Sequence, residues 1–92
     1  MLRGGAPEGL YGRDDFRRGV RVLGRLGHTY DTWHYHFQIP DYIALARAIP
    51  DTLMVLDHFG TPLGVGIYAN QREEIFARWR KDIAALARCE NV

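Results

Sequence analysis

Histidines are the side chains of this sequence best suited to bind a metal ion or to move a proton. They are His28, His34, His36 and His58. His58 follows Asp57 and an apolar run at residues 53–56. Such a run is typical of a strand that is covered on both faces in a parallel sheet, and these strands carry their chemistry at the carboxyl end. The sequence therefore predicts a functional site at His58.

A second group of candidates lies in residues 29–36, whose β-branched and aromatic side chains predict a strand. Alternation along that strand places Thr32, His34 and His36 on one face. Imidazoles at the ends of two neighbouring parallel strands could share a metal ion, which binds neutral ring nitrogens. A catalytic zinc commonly has three protein ligands, so Asp57 or residues from elsewhere would have to complete the set.

Ordinary structural roles compete with these functional ones. His34 is equally explained as a solvated or hydrogen-bonded member of an aromatic strand, and His28 follows the helix-ending Gly27 as a turn residue. Asp57 could orient an imidazole or act as a general base, or it could accept hydrogen bonds from loop amides. The glycine-rich residues 60–66 could approach a ligand closely or simply make turns, and they match neither common phosphate-binding glycine motif.

Hydrophobic periodicity predicts three helices around these strands. They are expected at residues 14–26 with Asp14 or Asp15 as the cap, at 41–48 after Pro40, and at 71–88. The apolar stripe of the second helix is expected to be Tyr42, Leu45 and Ile49. Residues 1–13 have no apolar periodicity and are expected to be irregular, which leaves residues 14–92 as the folded domain. Residues 89–92 resemble the approach to another strand.

Strand, short helix and strand in this order predict a parallel, right-handed βαβ unit. Two strands leave open edges and cannot cover the apolar faces of three helices. The unit is therefore expected to need neighbouring strands, and self-association through its exposed strand edges is one way to provide them.

Composition excludes several classes of protein. The 92 residues are 47% hydrophobic and 25% charged with a net charge of +1, so nucleic acid is not an expected partner. No apolar run approaches the roughly 20 residues that span a bilayer, and no signal-peptide core is present at the start, so no membrane partner is expected. The single Cys89 excludes an intramolecular disulfide and fits a cytoplasmic location. No serine is present, so a serine triad is excluded.

Two stretches carry a resemblance to a known family. They are Tyr-Asp-Thr-Trp-His-Tyr-His-Phe-Gln at residues 30–38 and Ala-Ile-Pro-Asp-Thr-Leu-Met-Val-Leu-Asp-His-Phe-Gly-Thr-Pro at residues 48–62. With the continuation through Leu-Gly-Val-Gly and the last helix, the sequence resembles the amidohydrolase-related family of metal-dependent hydrolases with TIM-barrel folds. The stretch His-Phe-Gly-Thr-Pro-Leu-Gly-Val-Gly is the most specific part.

The resemblance implies an α/β fold, a partial (βα)8 TIM barrel with the order helix-strand-helix-strand-helix and two parallel strands. The strands would be the fifth and sixth of the barrel, at residues 29–36 and 53–58. It implies that His36 and His58 are metal ligands or substrate contacts, that His58 is catalytic, and that Gln38 contacts the substrate. The implied cofactor is a divalent metal such as zinc. Asp57 stands where relatives often have asparagine, and the first-strand His-x-His and eighth-strand aspartate have no counterpart in this segment.

The activity implied is hydrolysis of a small molecule, such as a lactone or another cyclic ester or amide, by metal-activated water. Since a full barrel needs about 250 residues, the chain is expected to be a fragment of such an enzyme. Two alternatives stay open at this stage. One is a decarboxylase on the same barrel, and the other is a truncated half-barrel without catalytic activity.

Overall fold

A computed structural model describes residues 7–62 and 70–92. Its regular elements are α1 (Asp14–Arg25), β1 (Tyr30–Thr32), α2 (Ile39–Ala48), β2 (Met54–Leu56) and α3 (Arg72–Leu86). Short 3-10 segments occur at Leu10–Gly12, His36–Gln38 and Asp57–Gly60. The order helix-strand-helix-strand-helix confirms the prediction. In the described ranges no helix combines the length and the apolar character that crossing a bilayer requires.

The two strands pair in parallel, with Tyr30 opposite Met54 and Thr32 opposite Leu56. Both strands are shorter than predicted. The prediction of one strand over residues 29–36 is wrong beyond Thr32, because β2 ends at Leu56 and gives the following residues no partner to pair with. The Thr32 hydroxyl closes the pair by donating to the Val55 carbonyl at 3.1 Å.

Within residues 7–62 and 70–92, one face of the sheet is covered and the other is partly exposed. Met54 is 1% exposed, whereas Leu53 and Val55 are 55% and 43% exposed. The prediction that residues 53–56 are covered on both faces is therefore wrong for the described residues. The helices pack on the side that Met54 occupies, and the alternation of a strand sends Val55 to the opposite side.

The structure contradicts the predicted start of helix α1 and confirms its predicted end. The prediction that Asp14 or Asp15 caps it is wrong, since the N-cap is Arg13 and both aspartates lie in the first turn, where their charge favours the helix dipole. The prediction for Gly27 is confirmed, because its φ is 78° and the His28 N–H donates back to the Leu23 carbonyl at 2.9 Å. This is the 6→1 bond of a Schellman ending.

Gly24 sets how closely α1 approaches the segment before β2. A Cβ on Gly24 would overlap the Thr52 hydroxyl and would lie 3.1 Å from the Thr52 Cα. The same hydroxyl donates to the Val20 carbonyl at 3.1 Å. Thr52 is 1% exposed, so its side chain is enclosed at this contact.

We predict that Gly24→Ala destabilises the fold by about 1–3 kcal/mol, since the new methyl group must displace α1 from Thr52. The matched control is Gly19→Ala in the same helix, where a Cβ meets nothing within 4 Å. That control should gain about 0.5–1 kcal/mol from helix propensity alone. Urea unfolding of both variants measures the difference, and equal stabilities would contradict the close contact.

Helix α2 forms the centre of the core. Its residues Ile39, Tyr42 and Leu45 have no exposed surface, and Ile49, just past its end, is 2% exposed. The predicted stripe of Tyr42, Leu45 and Ile49 is thus confirmed. α2 contacts α3, and it also contacts the 3-10 turn that contains Tyr11.

The described part of the N-terminal segment is more ordered than expected. Leu10–Gly12 forms a 3-10 turn, and Tyr11 is 2% exposed within the core cluster. The interpretation of this stretch as irregular is therefore wrong at residues 10–12. A single aromatic residue between glycines has no periodicity, so no local pattern indicated its burial. Residues 1–6 lie outside the described residues.

The last residues fasten the chain to the start of β2. The Asn91 carbonyl accepts the Met54 N–H at 2.7 Å, and the Asn91 amide nitrogen donates to the carbonyls of Ala46, Ile49 and Thr52 at 3.2, 2.9 and 3.1 Å. The Leu53 carbonyl, by contrast, accepts from Tyr30. Successive strand residues bond to opposite sides, so Asn91 lies on the edge of β2 away from β1.

Candidate active site

The carboxyl ends of both strands lie at one edge of the sheet, because the strands are parallel. His36 follows β1 after three residues without regular secondary structure, and His58 follows β2 after Asp57. The two segments are joined directly, since the His36 N–H donates to the Thr61 carbonyl at 3.3 Å. The structure thus brings the backbone at both predicted site histidines to the same edge.

His36 is a buried imidazole, 2% exposed, whose ring meets the Phe37 ring edge-on at 5.4 Å. Burial lowers the pKa of His36, and the charge of Arg78 lowers it further, against the opposing effects of Thr61 and Asp82. A histidine with a lowered pKa is neutral at pH 7. Neutral imidazole is the form that binds a metal ion or accepts a proton.

Gln38 holds the turn that carries His36. Its side-chain Oε1 accepts the Tyr35 N–H at 3.1 Å, and its own N–H donates to the Tyr35 carbonyl at 2.9 Å. Gln38 is 6% exposed. The side-chain oxygen therefore stabilises the backbone before His36, a role that the sequence pattern did not indicate. Its predicted role as a substrate contact stays a prediction.

His58 lies in a left-handed turn and is exposed. Its φ and ψ are 52° and 35°, and those of Phe59 are 55° and 24°. Left-handed conformations at residues other than glycine cost about 1–3 kcal/mol each, and they persist only where the surroundings enforce them. The predicted strand over residues 53–58 is therefore wrong at its last two residues.

His34 belongs to the core. It has no exposed surface, its Nδ1 is 3.0 Å from the Tyr11 hydroxyl, and its ring centre is 4.9 Å from that of Tyr42. Burial lowers its pKa to about 4. Of the two structural roles considered for it, the hydrogen-bonded one is confirmed and the solvated one is wrong. The expectation that His34 and His36 share a strand face is wrong, because β1 ends before both.

We predict that lowering the pH destabilises the fold through His34. An unfolded histidine titrates near pH 6.5 and the buried one near 4, so stability is complete above about 6.5 and falls as the pH drops towards 4. At pH 4.5 the loss from this side chain is on the order of 3 kcal/mol. Urea unfolding at pH 7.5 and 4.5 measures it.

The variant His34→Phe keeps an aromatic ring and removes this titration, so its stability should depend less on pH. Some dependence will remain, since burial lowers the pKa of His36 as well. The control His28→Asn changes an exposed turn residue and should behave as the wild type. If His34→Phe loses as much stability at pH 4.5 as the wild type, His34 is not the responsible group.

The carboxyl edge of the sheet carries only part of the ligand set that a metal ion needs. The two imidazoles at the carboxyl edge, His36 and His58, are ligand types that zinc accepts. Across residues 7–62 and 70–92, no cluster of three or more His, Cys, Asp or Glu side chains could hold a metal ion. The donors therefore fit a divalent metal as two ligands of a larger set. The glycine-rich residues 63–66, which the sequence offered as a ligand loop, lie outside the described residues.

A parallel strand pair joined by a helix, with helices on one face, is the arrangement of one part of a (βα)8 barrel. The model of a family described as Amidohydrolase matches residues 2–92. This chain belongs to the amidohydrolase family.

Relatives of known structure agree with that assignment. A crystal structure of an amidohydrolase from Burkholderia multivorans with bound zinc has a TM-score of 0.77 and 30% identity, over 91% of this chain and 28% of that one. A second, with bound HEPES, has a TM-score of 0.78 at 30% identity, over 91% and 29% of the two chains. The predicted family and the predicted partial barrel fold are both confirmed.

A curated relative, the uncharacterized protein y4mH of Sinorhizobium fredii, is 32% identical over 78 residues. The match covers 85% of this chain and 24% of that protein. The chain thus spans between 24% and 29% of the length of these relatives.

Proposed function

We propose that this chain supplies the fifth and sixth strands of a metal-dependent hydrolase that opens a lactone or another cyclic ester or amide. The proposal rests above all on one observation. The hydrogen bond from the His36 N–H to the Thr61 carbonyl joins the ends of two parallel strands, and both strands deliver a histidine to that edge. Membership of the amidohydrolase family supports the reaction class.

His36 and His58 have different environments and so suit different tasks. His36 is buried and neutral, which suits a ligand of fixed position. His58 is exposed on a rigid turn, which suits contact with a substrate or with a metal at the mouth of the barrel. A divalent metal, when bound, supplies Lewis-acid chemistry by polarising the substrate carbonyl and activating water. Zinc in the Burkholderia relative supports this choice of metal.

The effect of His58 on hydrolysis tests the proposal. The chain is placed in the complete barrel of the Burkholderia relative, in exchange for the segment that it matches, and lactone hydrolysis is measured with added zinc. We predict that His58→Ala lowers kcat on the order of a hundredfold or more, since it removes a group that contacts the reacting molecule. Replacing the exposed turn residue in His28→Ala should leave kcat unchanged.

Three results would count against the proposal. Near-normal turnover of His58→Ala would remove His58 from the catalytic machinery. A folded, zinc-binding chimera that hydrolyses no lactone would overturn the substrate class. Release of carbon dioxide from a carboxylated substrate, without ring opening, would favour the decarboxylase alternative.

The predicted self-association through exposed strand edges stays a prediction, and Asn91 already bonds to one edge of β2. We further propose that the chain on its own associates with a second copy through the half-exposed side of its sheet. Leu53 and Val55 provide apolar surface on that side, and the exposed Asp31 opposite Val55 adds one charge to it. In relatives of full length, the barrel is more than three times longer than the part that this chain covers. An apolar sheet face without those neighbours favours association with a like surface.

We predict that Val55→Glu converts the chain to a monomer, because a second negative charge beside Asp31 opposes burial of this sheet face. Sedimentation equilibrium measures the mass. The matched control is Val22→Glu on α1, where the valine is 46% exposed compared with 43% for Val55. That control should keep the mass of the wild type. A monomeric wild type would contradict the association.

A cytoplasmic location and a small-molecule substrate stay predictions.

A further inference from the structure

The turn after β2 holds His58 in a conformation that its own side chain does not enforce. From His58 to Thr61, four successive residues have positive φ, at 52°, 55°, 76° and 46°. Only Gly60 among them adopts this conformation without steric conflict. The His58 and Phe59 side chains are exposed, and Phe59 is 77% exposed, so packing of these side chains does not explain the turn.

The backbone of the turn is instead held by hydrogen bonds from three directions. The Thr61 N–H donates to the His58 carbonyl at 2.9 Å within the turn. The His36 N–H donates to the Thr61 carbonyl from the end of β1. The Trp79 indole N–H donates to the Phe59 carbonyl from helix α3, at 2.5 Å. The last of these bonds is the only one of the three that comes from a side chain.

Ile39 restrains the turn from below. A Cβ on Gly60 would lie 2.8 Å from the Ile39 Cδ1, so the turn rests closely on the first residue of α2. This contact limits how far the turn can move towards the core. It does not fix the rotation of the peptide after Phe59, whose carbonyl is the group that Trp79 binds.

We propose that Trp79 is a positioning residue for His58. Its indole N–H fixes the peptide between Phe59 and Gly60, which keeps the backbone of His58 left-handed at the carboxyl edge of the sheet. Because Thr61 bonds both to His58 and to His36, the same anchor sets the spacing of the two histidine-bearing segments. The inference rests on the proposed function only in assigning His58 to a site.

Ordinary packing is the competing explanation of Trp79. Its side chain is half-buried, packs against the core cluster, and lies 5.7 Å from the Phe76 ring centre. Packing requires the ring and positioning requires the N–H group. Removing the N–H while keeping the ring therefore separates the two.

The test is nuclear magnetic resonance of the ¹³C,¹⁵N-labelled chain with Trp79→Phe, which keeps an apolar ring and loses the donor. We expect the Cα shifts and backbone couplings of His58 and Phe59 to lose their left-handed values, and the His36 amide signal to move with them. The control Trp33→Phe makes the same chemical change beside β1 and should leave these signals in place. Unchanged signals from His58 to Thr61 in Trp79→Phe would overturn the proposal.

A second variant guards against loss of packing. Chemical synthesis can place benzothienylalanine at position 79, which has the shape of tryptophan with sulfur instead of the N–H group. The proposal expects the same signal changes as in Trp79→Phe, with the core signals of α2 unmoved. Wild-type signals at His58 with this side chain would show that shape alone suffices and would refute the anchor.

Kinetics of the chimeric barrel add a readout that depends on the proposed function. There Trp79→Phe should lower kcat at least tenfold with little change in KM, since the substrate still binds but His58 is misplaced. Unchanged kcat in an active chimera would count against positioning. If no chimera is active, the hydrolase proposal fails by itself, and the resonance experiment still decides the role of Trp79.

Discussion

Burial of α2 is the constraint on which the other elements depend. Ile39, Tyr42 and Leu45 have no exposed surface, although the chain is only 92 residues long. This helix is covered by the turn containing Tyr11 and by α3, and Met54 of β2 belongs to the same buried cluster. The same helix connects β1 to β2, so its position fixes their parallel pairing. The edge where His36 and His58 emerge is thus a consequence of core packing.

The sequence predicted the elements well and their ends poorly. Periodicity located all three helices, and the stripe through Tyr42 was correct because core packing and helical geometry agree there. Both strands are shorter than predicted because pairing stops where either strand leaves the sheet. The sequence of one strand does not show where its partner ends. Burial of Tyr11 depends on His34 and Tyr42, which are distant in sequence, and no local pattern encodes such a contact.

The candidate site was also predicted in part. Residue types and the resemblance identified His36 and His58, and the structure puts their backbones at one edge. The sequence did not predict the local backbone structure of that edge. The side-chain oxygen of Gln38 accepts the Tyr35 N–H, and a left-handed turn replaces the end of the predicted strand at His58. Both features depend on hydrogen bonds to backbone groups. A pattern of side-chain types along the sequence does not encode such bonds.

Asn91 has a consequence for recombining this segment with other barrels. Its amide joins the end of α2, the following loop and the approach to β2, while its carbonyl accepts from Met54. If two barrels were recombined at Leu86, where α3 ends, a residue from the other protein would replace Asn91 and these four bonds would depend on it. A crossover after Asn91 would keep them within the transferred piece. The natural module boundary therefore lies past the helix, at the first contact with the edge of β2.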